Sequence, residues 1–159
     1  MLQKDDPSEK KPHKSLNRGQ VWVVGQLILG FAVLVAALPW HAGFFWPGLV
    51  VLLFGAGTAF WALLNLGKSL SVFPLPKDDA VFVGDGLYRW VRHPIYSGLL
   101  LAGLGWALLW LSWAAGLVWL VFAVWMDRKA AAEEAWLVQK YSNYADYRRR
   151  VRKFIPLVW

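Results

Sequence analysis

Three long stretches of this chain, 21–39, 44–66 and 95–126, are almost free of charged residues, and they constrain the fold more than any other feature. A transmembrane helix takes about 20 consecutive, mostly apolar residues. The first two stretches supply one span each. The third is too long for one span and breaks naturally at Leu111, Ser112 and Trp113 into a tight hairpin of two shorter ones. The expected fold is all-α, a polytopic membrane helix bundle with spans at about 21–39, 44–66, 95–111 and 113–127 and a cytoplasmic C-terminal helical extension. Composition agrees: 17% of residues are charged, against about a quarter in a water-soluble domain. At this length a single domain over 19–159 is expected, after a polar, mixed-charge tail over 1–18 that reads as mobile.

The positions of the charges orient the bundle. Lys4, Lys10, Lys11, Lys14 and Arg18 precede the first span, and Lys68, Lys77, Arg89 and Arg92 lie between the second and third. The remaining eight, from Arg128 to Lys153, follow the fourth, so all 17 basic residues fall on one side. By the positive-inside rule that side is cytoplasmic, and both termini with it. The expected location is integral to a membrane, the inner or plasma membrane if the source is bacterial. The net charge of +7 is then a consequence of topology and of attraction to anionic headgroups, which removes the case for nucleic acid as a partner. The first stretch lacks a clean small-residue cleavage site and is read as a retained span. With no cysteine, thiol chemistry is excluded.

No predicted span has an interior Asp, Glu, Lys, Arg or His; Gln26 and Asn65 are its only notably polar side chains. Ion-coupled transport and proton relays usually need an ionisable group within the membrane, so a pump is disfavoured. Candidate chemistry falls instead on two polar segments. The loop over 67–93 is long for a compact domain and more often functional than idle. Its end runs into Pro94, well placed as the first residue of a helix because it lacks an N–H to satisfy. His93 then sits at the helix entrance, either as a cap and interfacial anchor or as a group facing a ligand. The second segment is the projection of the fourth helix, with Lys129 and Glu133 at i,i+4 and Glu134 alongside. That spacing is ordinarily a solvated surface pair, but here it lies within two turns of the membrane surface, able to face the 67–93 loop. The basic, aromatic tail over 144–156 suits a segment lying on the inner leaflet.

The order of these residues is similar to one known pattern. Gly86, Tyr88, Arg92, His93, Pro94, Tyr96 and Gly98 read as G-x-Y-x-x-x-R-H-P-x-Y-x-G; one helical hairpin later come Lys129, Glu133, Glu134 and Leu137, then Tyr144, Tyr147 and a closing Phe154, Ile155 and Pro156. The series resembles the isoprenylcysteine carboxyl methyltransferases and their relatives, the membrane phospholipid methyltransferases, over about the C-terminal half of the chain. The resemblance implies an S-adenosylmethionine-dependent enzyme, with the cofactor entering from the cytoplasm and a membrane lipid or lipid-like acceptor from the bilayer. It implies cofactor contacts at Ala80, Val81, Phe82 and Val83, at Tyr88, at His93, Pro94, Ile95 and Tyr96, and at Glu133. It assigns catalytic roles to Lys129 and Arg92, substrate contacts to Lys129, Arg128 and Glu134, and no metal. Lys129 stands where eukaryotic members carry an arginine that orients a carboxylate, and lysine lacks the bidentate fork suited to one. The Asn-Pro pair of those members is also missing from the hairpin. The resemblance therefore carries methyl transfer to a carboxyl oxygen or a nitrogen, and not the prenylcysteine substrate; the alternative is a non-catalytic membrane scaffold or partner-binding protein of the same shape.

Overall fold

A computed structural model describes residues 13–37, 45–69 and 82–156, with side chains from Gly19 onward except that of Lys68. The described residues are helical: α1 (His13–Ala37), α2 (Phe45–Leu66), α3 (Pro94–Leu109), α4 (Trp113–Lys140) and the short α5 (Tyr144–Arg150). Among the described residues the one β-type pairing is an isolated parallel bridge between Val91 and Arg152. The first helix starts at His13, so the polar tail expected through residue 18 gives its last six residues to α1. Gly19–Ala37 and Phe45–Leu66 are long and apolar enough to cross a membrane. Only 11% and 17% of their apolar windows are buried, whereas the core helix of a water-soluble protein would be mostly enclosed.

The hairpin forms where the sequence breaks. α3 ends at Leu109, Leu111 takes a positive φ of 47°, and Ser112 caps α4 by accepting from Ala115 N at 3.1 Å. The Ser112 hydroxyl also donates to Ala36 O at 2.9 Å, which pins the turn to the end of α1. α4 packs along α1 and α3, and α3 lies along α2. The α2–α3 seam is made by small residues: a Cβ on Gly98 would stand 2.5 Å from Ala59 N, and one on Gly48 the same distance from Leu109 N. Close backbone approach is how helices gain contact in lipid, where apolar burial drives nothing. Gly98, which closes the histidine-proline motif, therefore belongs to this seam.

Beyond α3 and α4 the chain folds back. Arg92 N donates to Arg152 O at 2.8 Å and His93 N to Lys153 O at 3.1 Å. Ser97 Oγ reaches Phe154 O at 2.8 Å. The C-terminal segment is thus stitched onto the entrance of α3, a tie that the reading of it as a leaflet-lying tail does not contain.

Candidate functional site

Pro94 is the first residue of α3 and His93 its N-cap, as the sequence suggests. The His93 side chain makes no capping bond. Its ring is buried, stacked on Tyr96 with centroids 5.3 Å apart and planes 5° from parallel, and turned toward α4. There Nε2 lies 3.0 Å from Glu134 Oε1. Arg92 Nε donates to the same oxygen at 2.8 Å, and Arg148 Nε from α5 pairs with Oε2 at 3.0 Å. Burial pushes the Glu134 carboxyl up, but the bonds and charges of His93 and Arg92 outweigh it and hold it down at about 2. An ionised carboxylate only accepts, so His93 must present Nε2–H to it. That leaves Nδ1 toward the other carboxylate, 3.9 Å from Glu133 Oε2.

Glu133 and Glu134 are neighbours with different fates. Both Glu134 oxygens are committed to protein donors, and the side chain is 2% exposed, which sets it apart from the substrate contact expected of it. Glu133 is 25% exposed and accepts from the Tyr96 hydroxyl at 2.7 Å through Oε2. Among the described residues no hydrogen bond or ion pair engages its second oxygen.

Lys129 does not form the i,i+4 ion pair that its spacing to Glu133 suggests. Its ammonium is buried, donates to Gln26 Oε1 of α1, and lies 5.0 Å over the Tyr96 ring. Burial lowers its pKa, with the Glu133 charge opposing. Arg128, one residue earlier, is exposed. Arg92 is engaged by the protein on several sides. Besides Glu134 it donates through a terminal nitrogen to Arg148 O, at 3.0 Å, and to Val151 O, so it ties the C-terminal segment down.

Tyr88 is buried in a 3₁₀ turn over Gly86–Arg89, and burial raises its hydroxyl's pKa, helped by the Glu133 and Tyr147 environment. The turn is held from α2: Asn65 Oδ1 accepts from Leu87 N at 2.9 Å. Gly86, at φ +59°, takes a backbone conformation that suits glycine, and a Cβ there would push the Asn65 amide aside. The Tyr147 hydroxyl donates to Tyr88 O at 2.6 Å. Phe82 rests against Tyr141, Tyr144 and Tyr147, and Val83 is half-buried. Ala80 and Val81 lie outside the described residues. Ile95 is half-buried and Pro94 fully buried beside the histidine.

The structure thus brings together His93, Pro94, Tyr96, Lys129 and Glu133 at one end of the α3–α4 hairpin, and leaves Arg128 outside. Sequence reasoning missed Gln26 as a partner, although its polarity within an apolar stretch was the available signal. A carboxylate with an open oxygen, beside two aromatic rings, fits the hydroxyls or cationic groups of a nucleoside-bearing sulfonium cofactor.

Comparison with known proteins gives the family. A sequence model described as phospholipid methyltransferase matches residues 44–144. The protein-S-isoprenylcysteine O-methyltransferase of Schizosaccharomyces pombe is 34% identical over 101 residues, covering 61% of this chain and 43% of its own length. That of Saccharomyces cerevisiae is 31% identical over 116 residues, covering 70% and 48%. The steroid 5-alpha-reductase DET2 of Solanum lycopersicum is 29% identical over 123 residues, covering 72% and 44%. The chain spans less than half the length of each of these relatives. Because one of them is named for a reduction, function has to be argued from the site rather than from the fold alone.

Proposed function

The chain belongs to the phospholipid methyltransferase family, and we propose that it is an integral membrane methyltransferase using S-adenosylmethionine and acting on a lipid-like or small amphiphilic acceptor. One observation carries the reading. Two polar segments more than 30 residues apart meet at Tyr96 and Glu133, 2.7 Å apart, with the tyrosine ring also stacked on His93 and 5.0 Å from the Lys129 ammonium.

The membrane placement has its own support. Trp113, Leu117, Leu120, Val121 and Val124 of α4 are all more than half exposed, as are Val21, Val24, Leu27, Ile28 and Phe31 of α1. Such apolar faces suit lipid, and they favour four spans with the charged ends of α3 and α4 on the cytoplasmic side.

Bound, S-adenosylmethionine supplies an electrophilic methyl group on a sulfonium. The residues of this chain hold and shield. Glu133 would accept from cofactor hydroxyl or amino groups through its open oxygen, while Tyr96 fixes the carboxylate by donating to the other. His93, locked by Glu134, offers Nδ1 on the same side. Methyl transfer is an in-line displacement, so positioning of this kind is most of what the protein must provide. Lys129 supplies positive charge toward the acceptor, Arg92 and Glu134 keep the histidine and the C-terminal segment in place, and Arg128 faces the headgroup region.

Isothermal titration of the purified protein in lipid nanodiscs tests this. The wild type is expected to bind S-adenosylmethionine, and Glu133→Ala and His93→Ala each to bind it at least about tenfold more weakly, the equivalent of a lost charge-assisted hydrogen bond. Unchanged affinity in both folded variants overturns the site. A wild type that binds no cofactor overturns the enzyme reading in favour of the scaffold. Lipid mass spectrometry of cells with and without the gene, searching for a difference of one CH₂, identifies the acceptor.

A further inference from the structure

Of the two side-chain amides in the apolar stretches, Asn65 is explained: it caps the turn that carries Tyr88. Gln26 is not explained by any feature of its own helix. It lies within Gly19–Ala37, among exposed apolar neighbours such as Val24, Leu27 and Ile28. A side-chain amide there is costly without a partner. Its partner is the Lys129 ammonium, 103 residues away on α4.

Lys129 has three N–H donors. One goes to Gln26, and the face of the Tyr96 ring lies 5.0 Å below the nitrogen. These two contacts come from different helices and fix the direction of a four-carbon side chain that otherwise samples many rotamers. The groups facing the ammonium are Gln26 from α1, Tyr96 from α3 and Glu133 from its own helix. Trp125 locks the same helix pair one turn earlier: its indole donates to Trp22 O at 3.3 Å and packs so tightly on Gly25 that no Cβ fits.

We propose that Gln26 is a positioning residue of the site, by which α1, a helix outside the family-matched segment, aims the Lys129 ammonium at the acceptor. This rests on the methyltransferase reading for its catalytic consequence and on the Gln26–Lys129 bond for its structural one. Through this bond α1 becomes a determinant of which acceptor head group the site takes, with an anionic or carbonyl-bearing group favoured next to the remaining N–H.

The test uses the full chain in nanodiscs and two variants, Gln26→Met, which keeps the volume, and Gln26→Glu, which adds a negative charge. Competitive acetylation with acetic anhydride across pH, read at Lys129 by mass spectrometry against an added free amino acid, reports the ammonium directly. An acceptor of the ammonium stabilises its charged form. The midpoint of labelling should therefore fall to lower pH in Gln26→Met and rise in Gln26→Glu. With the acceptor from the lipid comparison, Gln26→Met should raise KM for acceptor roughly tenfold while the affinity for S-adenosylmethionine stays within about twofold. A labelling midpoint that moves in neither variant overturns the proposal. So does a midpoint that moves while the acceptor KM does not, because the pair is then structural only. A wild type that transfers no methyl group to any amphiphile, yet shows the two opposed shifts, sinks the methyltransferase reading and upholds the Gln26–Lys129 contact.

Discussion

The α2–α3 seam and the polar end of the α3–α4 hairpin share a helix but are built on opposite principles. Along the seam, α3 approaches α2 because Gly98 and Gly48 have no side chains to hold the backbones apart. At its N-terminal end the same helix meets α4 through charge: Arg92, His93 and Arg148 converge on one buried carboxylate. The seam is specified by what is missing and tolerates no addition; the polar end is specified by what is present and tolerates no removal at its buried centre. The contrast teaches where each kind of substitution does damage. It also explains why the histidine-proline motif ends in glycine, since the motif runs from the polar end straight into the seam.

The largest effect should come from breaking the polar end at its centre. Removing one partner of a buried ion pair costs about 3–5 kcal/mol, because the other charge is left behind without compensation. Glu134→Ala should lose stability on that order, read as thermal unfolding in detergent by circular dichroism. Wild-type stability in this variant would show that Arg92 and Arg148 have found water and that the cluster is not buried as described. The acid limb follows from the same group. Its carboxyl is depressed from 4.5 to about 2, so it stabilises the fold above pH 4.5 and that contribution is lost as pH falls toward 2. Glu134→Gln should flatten the pH dependence over that interval.

Filling the seam comes next. A Cβ on Gly98 would meet Ala59 N at 2.5 Å, and backbone cannot swing aside as a flexible side chain can. Gly98→Val should cost toward the upper end of about 1–3 kcal/mol for overpacking, with cofactor affinity in the surviving folded protein weakened less than in Glu133→Ala. An unfolding temperature equal to wild type would mean that α3 can stand off from α2.

How much of this could be read from the chain alone differs between the two regions. The hairpin break at Ser112, the start of α3 at Pro94 and the meeting of the two polar segments all follow from local chemistry: a cap, a residue without an N–H, and a one-sided charge distribution. What the residues cannot reveal one at a time is rotation. Over 21–37 α1 is apolar on every side but for Gln26, and although that one polar residue is a signal, its partner on α4 is invisible before the helices are packed. The i,i+4 rule points Lys129 at Glu133 because it knows only one helix. The division of labour between Glu133 and Glu134 was hidden for the same reason. Adjacent residues on a helix point about 100° apart, and which of them meets Arg92 depends on how the C-terminal segment folds back onto residues 91–93.

A smaller change separates holding the fold from holding a ligand. The Tyr96 hydroxyl donates to Glu133 while its ring stacks on His93 and lies under Lys129. Tyr96→Phe keeps both ring contacts and removes one hydrogen bond to a charged group, in a position where Glu133 stays partly exposed to solvent. Stability should fall by about 1 kcal/mol or less. Cofactor affinity should fall about fivefold in the same variant, since the carboxylate loses the donor that orients it. A loss of stability as large as that of Glu134→Ala, with cofactor affinity intact, would reassign Tyr96 to the structural side.

The smallest effect belongs to the outermost member of the cluster. Arg148 pairs with Glu134 Oε2 at 3.0 Å, but its side chain is 55% exposed, so water already competes for the guanidinium. Exposed pairs are worth about 0–1 kcal/mol and weaken with salt. Glu134 keeps Arg92 and His93 on its other oxygen when Arg148 is gone, and Arg92 keeps the Arg148 carbonyl, which the substitution leaves in place. Arg148→Ala should therefore shift unfolding only slightly, and the difference from wild type should disappear as salt is raised to about 1 M, where the screening length is only about 3 Å. If Arg148→Ala instead destabilised as much as Glu134→Ala, and did so at every salt concentration, the cluster would extend out to α5 as a fully desolvated triad. The boundary between the region that tolerates no removal and the solvent would then lie one residue further out than the geometry puts it.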